Sequence, residues 1–316
     1  MKVLITGILG FAGSHLCEHL LAQRAEVCGA RFPGELNLLP DEAARQVELF
    51  PCDLRERNQC DELIDRTQPE VIFHLAAIAF VPQARQDPAT AFDTNVTGSV
   101  NLMEATRRRC PGATLVVISS GEVYGKVSPQ EVPTSEEAAI RPASFYAATK
   151  AAVEMIAAAY GAEYGLRVVI LRPFSHIGPR QSPAFVTASF ARQIAQIEKG
   201  RAEPVMSVGN LEAQRDFTDV RDMVRAYALA SEKCEPGQPY NIASGTVHHI
   251  QEALDVLLSL TQAKVTVRQD PALLRPSDTP IFQGDATRFR QRTDWEPTIP
   301  FRQSLEDTLN YWRGQL

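Results

Sequence analysis

The chain has 316 residues, enough for more than one small core, with 44% hydrophobic and 22% charged residues, the usual balance of a globular protein. A net charge of −6 and a pI near 5.6, with no basic tract, argue against nucleic acid or an anionic membrane as a partner. No apolar run approaches the ~20 residues that a membrane span needs, and MKVLITG leads straight into a glycine motif, so a cytoplasmic chain without a leader is expected.

Residues 2–6 form a short β-branched run that ends in glycines, and a helical pattern follows over 14–24. The spacing then predicts strands over 26–30 and 47–50, a helix over 58–67, a strand over 70–75 and a helix over 89–109. A strand over 114–119, a helix over 146–164 and a strand over 167–172 complete the alternation. Such alternation of short apolar strands with helices predicts an α/β fold with a doubly wound parallel sheet. After Pro173 the rhythm changes: a Pro/Gly-rich loop, a helix over 187–199, and one more strand of the first sheet over 240–243. A helix over 251–260, a strand over 264–268, a loop over 270–280 and a terminal helix from 301 end the chain. These later segments read as a smaller α/β lobe closing over the carboxyl edge of the sheet.

Gly7, Gly10 and Gly13 stand in GxxGxxG spacing between the first strand and the first helix, with Phe11 and Ala12 inside the motif. There the first glycine permits a tight turn, the second lets backbone approach a pyrophosphate, and the third allows close helix packing. The helix N-terminus adds positive potential for phosphate. A Rossmann-type dinucleotide site is therefore expected. At the end of the second strand stands Arg31, where an acid would indicate NAD. A cation there suits the 2′-phosphate of NADP(H), so NADP(H) is favoured with NAD(H) as the alternative. Asp53 and Leu54, after the third strand, are expected at the adenine edge.

Tyr146 and Lys150 open a long alanine-rich helix at a spacing of four, which puts both on one face. A phenol with pKa near 10 transfers protons poorly at pH 7, and a lysine cation one turn away is expected to draw it downward. Ser120, at the tip of the strand before it, is placed to bond the same substrate oxygen. The six cysteines (Cys17, Cys28, Cys52, Cys60, Cys110, Cys234) form no CxxC pair and read as free thiols, with no metal site. His176 reads as a structural histidine, and His248 and His249 as residues that cap or precede a helix.

GxxGxxG, His74-Leu75-Ala76-Ala77, Asn95, SSGEVYG from Ser119, YxxxK and Arg172-Pro173-Phe174 occur in the order found in the extended short-chain dehydrogenase/reductase family, which the chain resembles over nearly its whole length. The resemblance implies a dinucleotide-binding domain over 1–172 plus about 216–246, and a nucleotide-sugar lobe over 173–215 and 247–316. It implies a Ser120–Tyr146–Lys150 triad, with Asn95 supporting the lysine through water. Leu75, Ala76, Ala77, Ser119, Pro173 and His176 would line the nicotinamide side.

Within that family the segments Phe174–Pro179, Phe185-Val186, 208–217 and 275–278 resemble the GDP-mannose branch. Arg215 and Arg275 are then expected on a diphosphate, through bidentate forks. Asp278 would take a ribose hydroxyl, while Ser175, Phe185 and Val186 would contact the sugar nucleotide. Ser175 departs from the asparagine usual in this branch, which shortens the reach of that contact. Members either reduce the C4 ketone of GDP-4-keto-6-deoxy-D-mannose, giving GDP-rhamnose or its C4 epimer, or dehydrate GDP-mannose with a glutamate base. Glu122 holds the position of that base. Serine at 120, glycine at 121, the segment 173–217 and the shorter chain resemble the reductases more, so reduction is favoured. A non-catalytic dinucleotide sensor is the reading from another class, and such proteins lose the tyrosine or the lysine. Relatives pair helices like 146–164 and the one around 97–109 into an intermolecular four-helix bundle, which implies a homodimer.

Overall fold

The computed structural model describes residues 1–274 and 279–316. In chain order the first sheet and its helices are β1 (Lys2–Thr6), α1 (Phe11–Ala22), β2 (Glu26–Arg31), α2 (Asp41–Ala44), β3 (Glu48–Pro51), α3 (Arg57–Thr67) and β4 (Val71–His74). They continue with α4 (Val81–Gln86), α5 (Pro88–Phe92), α6 (Gly98–Arg109), β5 (Thr114–Ile118), α7 (Phe145–Tyr164) and β6 (Arg167–Pro173). Then come β7 (Ser175–Ile177), α8 (Val186–Glu198), β8 (Val205–Val208), β9 (Gln214–Asp219), α9 (Val220–Lys233), β10 (Pro239–Ile242) and β11 (Val247–His249). The chain ends with α10 (Ile250–Ser259), β12 (Thr266–Gln269), β13 (Ile281–Phe282), α11 (Thr287–Thr293) and α12 (Phe301–Gln315).

Seven strands form one sheet in the order β10-β6-β5-β4-β1-β2-β3, every pair parallel. Val3 pairs with Val27 on one side and Val71 on the other. The central strands are buried along their whole length, as expected where helices cover both faces. One face packs Leu16 and Leu20 of α1 and Met223, Val224 and Tyr227 of α9; the other packs Leu63 and Ile64 of α3, Leu102 and Met103 of α6, and Val153 and Ala157 of α7. The chain winds outward from β1 to β3, then returns to β4 and winds the other way. That reversal leaves a crevice at the carboxyl ends of β1 and β4, the place where such sheets bind ligands.

The strand expected over 240–243 is β10, beside β6. The helix expected over 89–109 is interrupted: a π-turn at Asp93–Thr97 separates α5 from α6. Wide turns of this kind concentrate at functional sites. Helices α9 and α11 and the short strands β7, β9, β11 and β13 are not picked out by the sequence pattern. The last four form a second sheet, β9 pairing with β7, β11 and β13. β9 runs across residue 216, where a boundary was expected. A separate core of Ile177, Phe190, Ile194, Phe217, Leu254, Leu257, Leu305 and Leu309 lies beneath α8, α10 and α12.

Between the two cores Phe174 is wedged tightly. A Cβ at Gly121 would come within 3.0 Å of its ring, and one at Gly284 within 2.5 Å. Its ring centroid is 4.5 Å from that of Phe282. Asp222 at the start of α9 accepts from the backbone N–H groups of Thr298 and Ile299, each at 2.8 Å, and so fastens the strap before α12. All six cysteines are free. No helix among the described residues is long and apolar enough to cross a membrane.

Candidate active site

Gly7 and Gly13 are fixed by space. Gly7 has φ +72°, and a Cβ there would sit 2.9 Å from the Ala76 backbone nitrogen; one on Gly13 would sit 2.0 Å from the Gly7 carbonyl oxygen. The loop is thus pressed against Leu75–Ala77 at the end of β4. Gly10 is the N-cap of α1 and offers no side-chain cap, so the first N–H groups of α1, beginning at Phe11 and Ala12, keep their donor capacity for a ligand. A loop without room for Cβ atoms, opening an uncapped helix at the crevice, fits a dinucleotide pyrophosphate.

Arg31 ends β2 and is exposed, as a residue meeting an anion at the rim must be. Asp53, expected at the adenine edge, is engaged by its near neighbour Arg55. The Arg55 side chain donates three bonds of 2.6–3.1 Å to it and the Arg55 backbone N–H another at 3.0 Å, which hold its carboxyl below the ordinary range. Leu54 is buried beneath Gly98.

Behind the glycine loop runs a hydrogen-bonded chain that the sequence did not suggest. Ala76 N–H donates to Thr6 Oγ1 at 3.3 Å, Thr6 Oγ1 meets His74 Nδ1 at 2.7 Å, and His74 Nε2 meets Ser99 Oγ at 2.7 Å. Ser99 donates in turn to the Asn95 carbonyl. Those end groups assign one direction to the chain and put the His74 proton on Nε2. Burial and the Lys150 charge push His74 down to about 3, so it stays neutral. Asn95, in the π-turn, accepts from Ile78 N–H at 2.7 Å and donates to the Ile78 carbonyl at 3.2 Å and to Thr149 Oγ1 at 2.9 Å. It therefore grips α7 at the residue before Lys150, and no direct bond joins it to the lysine. Lys150 Nζ itself donates to the Ile118 carbonyl at 2.7 Å.

Tyr146 and Lys150 on α7 lie beside Ser120 at the tip of β5. All three are buried; Ser120 Oγ accepts from the Glu122 N–H at 3.2 Å and stands near enough to the Tyr146 phenol to favour its ionised form. The expected downward pull of lysine on tyrosine is not what sets this phenol. Burial pushes Tyr146 up to about 12, opposed by the Ser120 hydroxyl and reinforced by the negative charge of Glu122. Lys150 Nζ stands 6.0 Å from the centre of the tyrosine ring. Burial also lowers Lys150 to about 8, against the raising effect of Glu154. At neutral pH the pair is a neutral phenol beside an ammonium group, a proton donor ready for a developing alkoxide. Glu122 is exposed, in the turn 121–124 after β5.

The Ser119 hydroxyl donates to Glu154 and its backbone N–H to the Leu171 carbonyl at 2.8 Å. Pro173 ends β6. His176 on β7 stacks on Phe11 of the glycine motif, with centroids 5.7 Å apart and rings 11° from parallel, and burial keeps it neutral. This is the structural role expected of it. His249 is the N-cap residue of α10. Ser175 pairs with Phe217 in the second sheet. Phe185, just before Val186 opens α8, is 39% exposed and meets Phe80 edge-on at 5.7 Å; Phe80 was not anticipated. Arg215 is half-buried on β9 and donates to the Gln214 and Thr279 carbonyls, both at 2.8 Å. Arg275 and Asp278 lie outside the described residues.

With this geometry in place, comparison with known proteins is decisive on family. The family model described as GDP-mannose 4,6 dehydratase matches residues 4–308. The chain belongs to that family. It is 35% identical over 316 residues to GDP-6-deoxy-D-mannose reductase of Pseudomonas aeruginosa, covering 100% of this chain and 98% of the relative. The solved structure of RMD from Pseudomonas aeruginosa complexed with NADPH superposes with a TM-score of 0.86 at 33% identity, covering 100% of both chains. The UDP-glucose 4-epimerase of Thermus thermophilus complexed with NAD gives 0.88 at 32% identity, again over 100% of both chains. Relatives on this fold thus include structures with either nicotinamide dinucleotide.

Proposed function

We propose that the protein is an NAD(P)H-dependent reductase that acts on the C4 ketone of GDP-4-keto-6-deoxy-D-mannose and yields GDP-rhamnose or its C4 epimer. One observation carries this: full-length similarity to GDP-6-deoxy-D-mannose reductase in a chain whose Ser120, Tyr146 and Lys150 share one buried site. Gly7, Gly10, Phe11, Ala12 and Gly13 would hold the pyrophosphate on the N-terminus of α1, with Arg31 facing the 2′-phosphate of NADP(H). Leu54 and Asp53 would flank the adenine, while Leu75–Ala77, Asn95, Pro173 and His176 would border the nicotinamide. When bound, the reduced nicotinamide supplies the hydride that C4 accepts. Tyr146, held neutral by burial, gives its proton to the ketone oxygen. Ser120 bonds that oxygen, and Lys150 stabilises the phenolate left behind.

Residues 173–215 and 247–316 form the proposed lobe for the sugar nucleotide. There Arg215 and Arg275 would meet the diphosphate, Asp278 a ribose hydroxyl, and Ser175, Phe185 and Val186 the remainder. A cytoplasmic homodimer through α6 and α7 belongs to the same proposal. Its support is the exposure of Phe145, Met155 and Tyr164 on α7, each more than half accessible, and light scattering tests it.

The competing activity is 4,6-dehydration of GDP-mannose with Glu122 as the base. The observation in its favour is that Glu122 stands in the turn 121–124 and its backbone N–H donates to Ser120 Oγ, beside the reaction centre. Two incubations separate the readings: GDP-mannose without reductant, followed for a 4-keto product, and the keto sugar with NADPH, followed at the nicotinamide absorbance. Consumption of NADPH supports the reductase. Turnover of GDP-mannose with an inert keto sugar overturns it.

A further inference from the structure

Glu154 lies one turn beyond Lys150 on α7, on the helical stripe that carries Tyr146. It is 4% exposed, and its partner Arg172 on β6 is 6% exposed. Arg172 Nε lies 3.1 and 3.0 Å from the two carboxylate oxygens, and its Nη2 donates at 2.6 Å. Ser119 donates its hydroxyl to the same carboxylate. From Arg172 the chain continues: Nη1 donates to the Tyr124 hydroxyl at 2.8 Å, and that hydroxyl donates to Asn241 Oδ1 at 2.7 Å. One buried polar chain therefore joins α7, the tip of β5, the turn 121–124, β6 and β10.

A buried ion pair adds little net stability, because desolvation offsets most of its attraction and apolar side chains of equal volume would serve as well. What this pair does supply is direction. Ser119 and Ser120 are neighbours, and Ser120 is extended (φ −164°, ψ 145°). Both serines meet the same stripe of α7, so holding Ser119 on Glu154 fixes the backbone from which Ser120 faces Tyr146. The pair also faces Lys150. The titratable groups around that amine are Tyr146 on its own helix, neutral His74 from β4, Glu122 beyond the phenol, and the Glu154 carboxylate with Arg172 on its far side. Glu154 is the anion that acts on the ammonium group.

We propose that Glu154 is a positioning residue: through Ser119 its carboxylate orients Ser120 toward the tyrosine, and from one helical turn away it supplies the negative charge that faces Lys150. This rests on the reading of Ser120, Tyr146 and Lys150 as the reaction centre.

Two sets of variants test it in the full-length protein. Ser119→Ala removes the tie and leaves the ion pair intact. It should lower kcat about tenfold or more, as a misaimed reacting group does, with KM for NADPH within about twofold of wild type. Ser119→Thr, which keeps the hydroxyl, should restore most of the loss. Glu154→Gln removes the charge, and Glu154→Gln with Arg172→Met replaces it where thermal melting shows that the single variant does not fold. The single variant should move the titration of Lys150, and the alkaline limb of kcat with it, down by about one pH unit, and the double variant, which also loses the more distant Arg172 cation, by less in the same direction. The titration is read by NMR of protein carrying 13C-labelled lysine. The chain's lysines are Lys2, Lys126, Lys150, Lys199, Lys233 and Lys264, few enough to assign by difference from Lys150→Met. A Ser119→Ala enzyme with wild-type kcat, or a Lys150 titration unmoved by loss of the carboxylate, overturns the proposal. The NMR titration needs no substrate. Failure of wild type on the keto sugar therefore refutes the substrate assignment alone.

Discussion

Replacing Lys150 by methionine should alter how stability depends on pH. The amine is buried, and its titration falls from the ordinary 10.5 to about 8, first because burial disfavours the charged form, with Glu154 opposing. That drop corresponds to about 3 kcal/mol. Below pH 8 the lysine is charged in both folded and unfolded chains, and the fold bears the full cost. Between pH 8 and 10.5 the folded lysine is neutral while the unfolded one still binds a proton, so stability rises with pH. Methionine does not titrate, and the other ionisable groups are common to both proteins. The stability of wild type relative to the variant should therefore improve by about 2–3 kcal/mol between pH 7 and 10. Loss of the 2.7 Å bond to the Ile118 carbonyl adds an offset of about 1–3 kcal/mol that does not vary with pH. Urea melts of ligand-free protein at several pH values measure the difference. A gap that stays constant across the range would show that Lys150 is not desolvated, and the account of its lowered titration would fail.

Gly13→Ala places a methyl group 2.0 Å from the Gly7 carbonyl oxygen; it should cost about 1–3 kcal/mol in denaturant melts and abolish tight NADPH binding in fluorescence titration. Arg31→Ala should raise KM for NADPH by roughly ten- to a hundredfold and leave KM for NADH unchanged, since a charge-assisted bond to the 2′-phosphate contributes about 1.5–3 kcal/mol. Equal effects on both cofactors would remove Arg31 from that role. Tyr146→Phe should cut kcat by about 10²–10⁴ while NADPH still binds, where a dinucleotide sensor would keep its function. Asp222→Ala leaves the Thr298 and Ile299 N–H groups without their acceptor and should cost about 2–4 kcal/mol in a thermal or urea melt.

How much of this was legible from residues follows from physical range. The large sheet was readable because its central strands are short apolar runs buried on both faces, and each connection is long enough to be a helix. The second sheet was not: Ser175–Ile177, Gln214–Asp219, Val247–His249 and Ile281–Phe282 are short, mixed in polarity and paired over long sequence distances. Helix α9 did carry a signal, with Val220, Met223, Val224 and Tyr227 at helical spacing, but it follows a strand without an intervening loop. In the site, the glycines, Ser120, Tyr146 and Lys150 announce themselves through local spacing. Glu154 does not, since a helix acid normally reads as solvated, and only Arg172 and Ser119 from other strands bury it. The same holds for Tyr146. Its spacing to Lys150 suggested a lowered pKa, but the direction is decided by burial, which belongs to the whole fold.

The wedge of Phe174 between Gly121 and Gly284 has an implication for how this chain can diverge. A methyl group at either glycine would strike the same ring, and Phe282 leaves that ring little room to retreat. Replacement at 121, at 284 or at 174 is thus not an independent event: a Cβ at Gly121 also comes within 3.0 Å of Phe282 and one at Gly284 within 2.8 Å of the Ala243 Cβ, so a larger side chain at either glycine needs space from Phe174 and from a second neighbour. These positions, far apart in the chain, are bound to drift as a set. The glycine beside Ser120 is thereby tied to an aromatic ring more than fifty positions downstream.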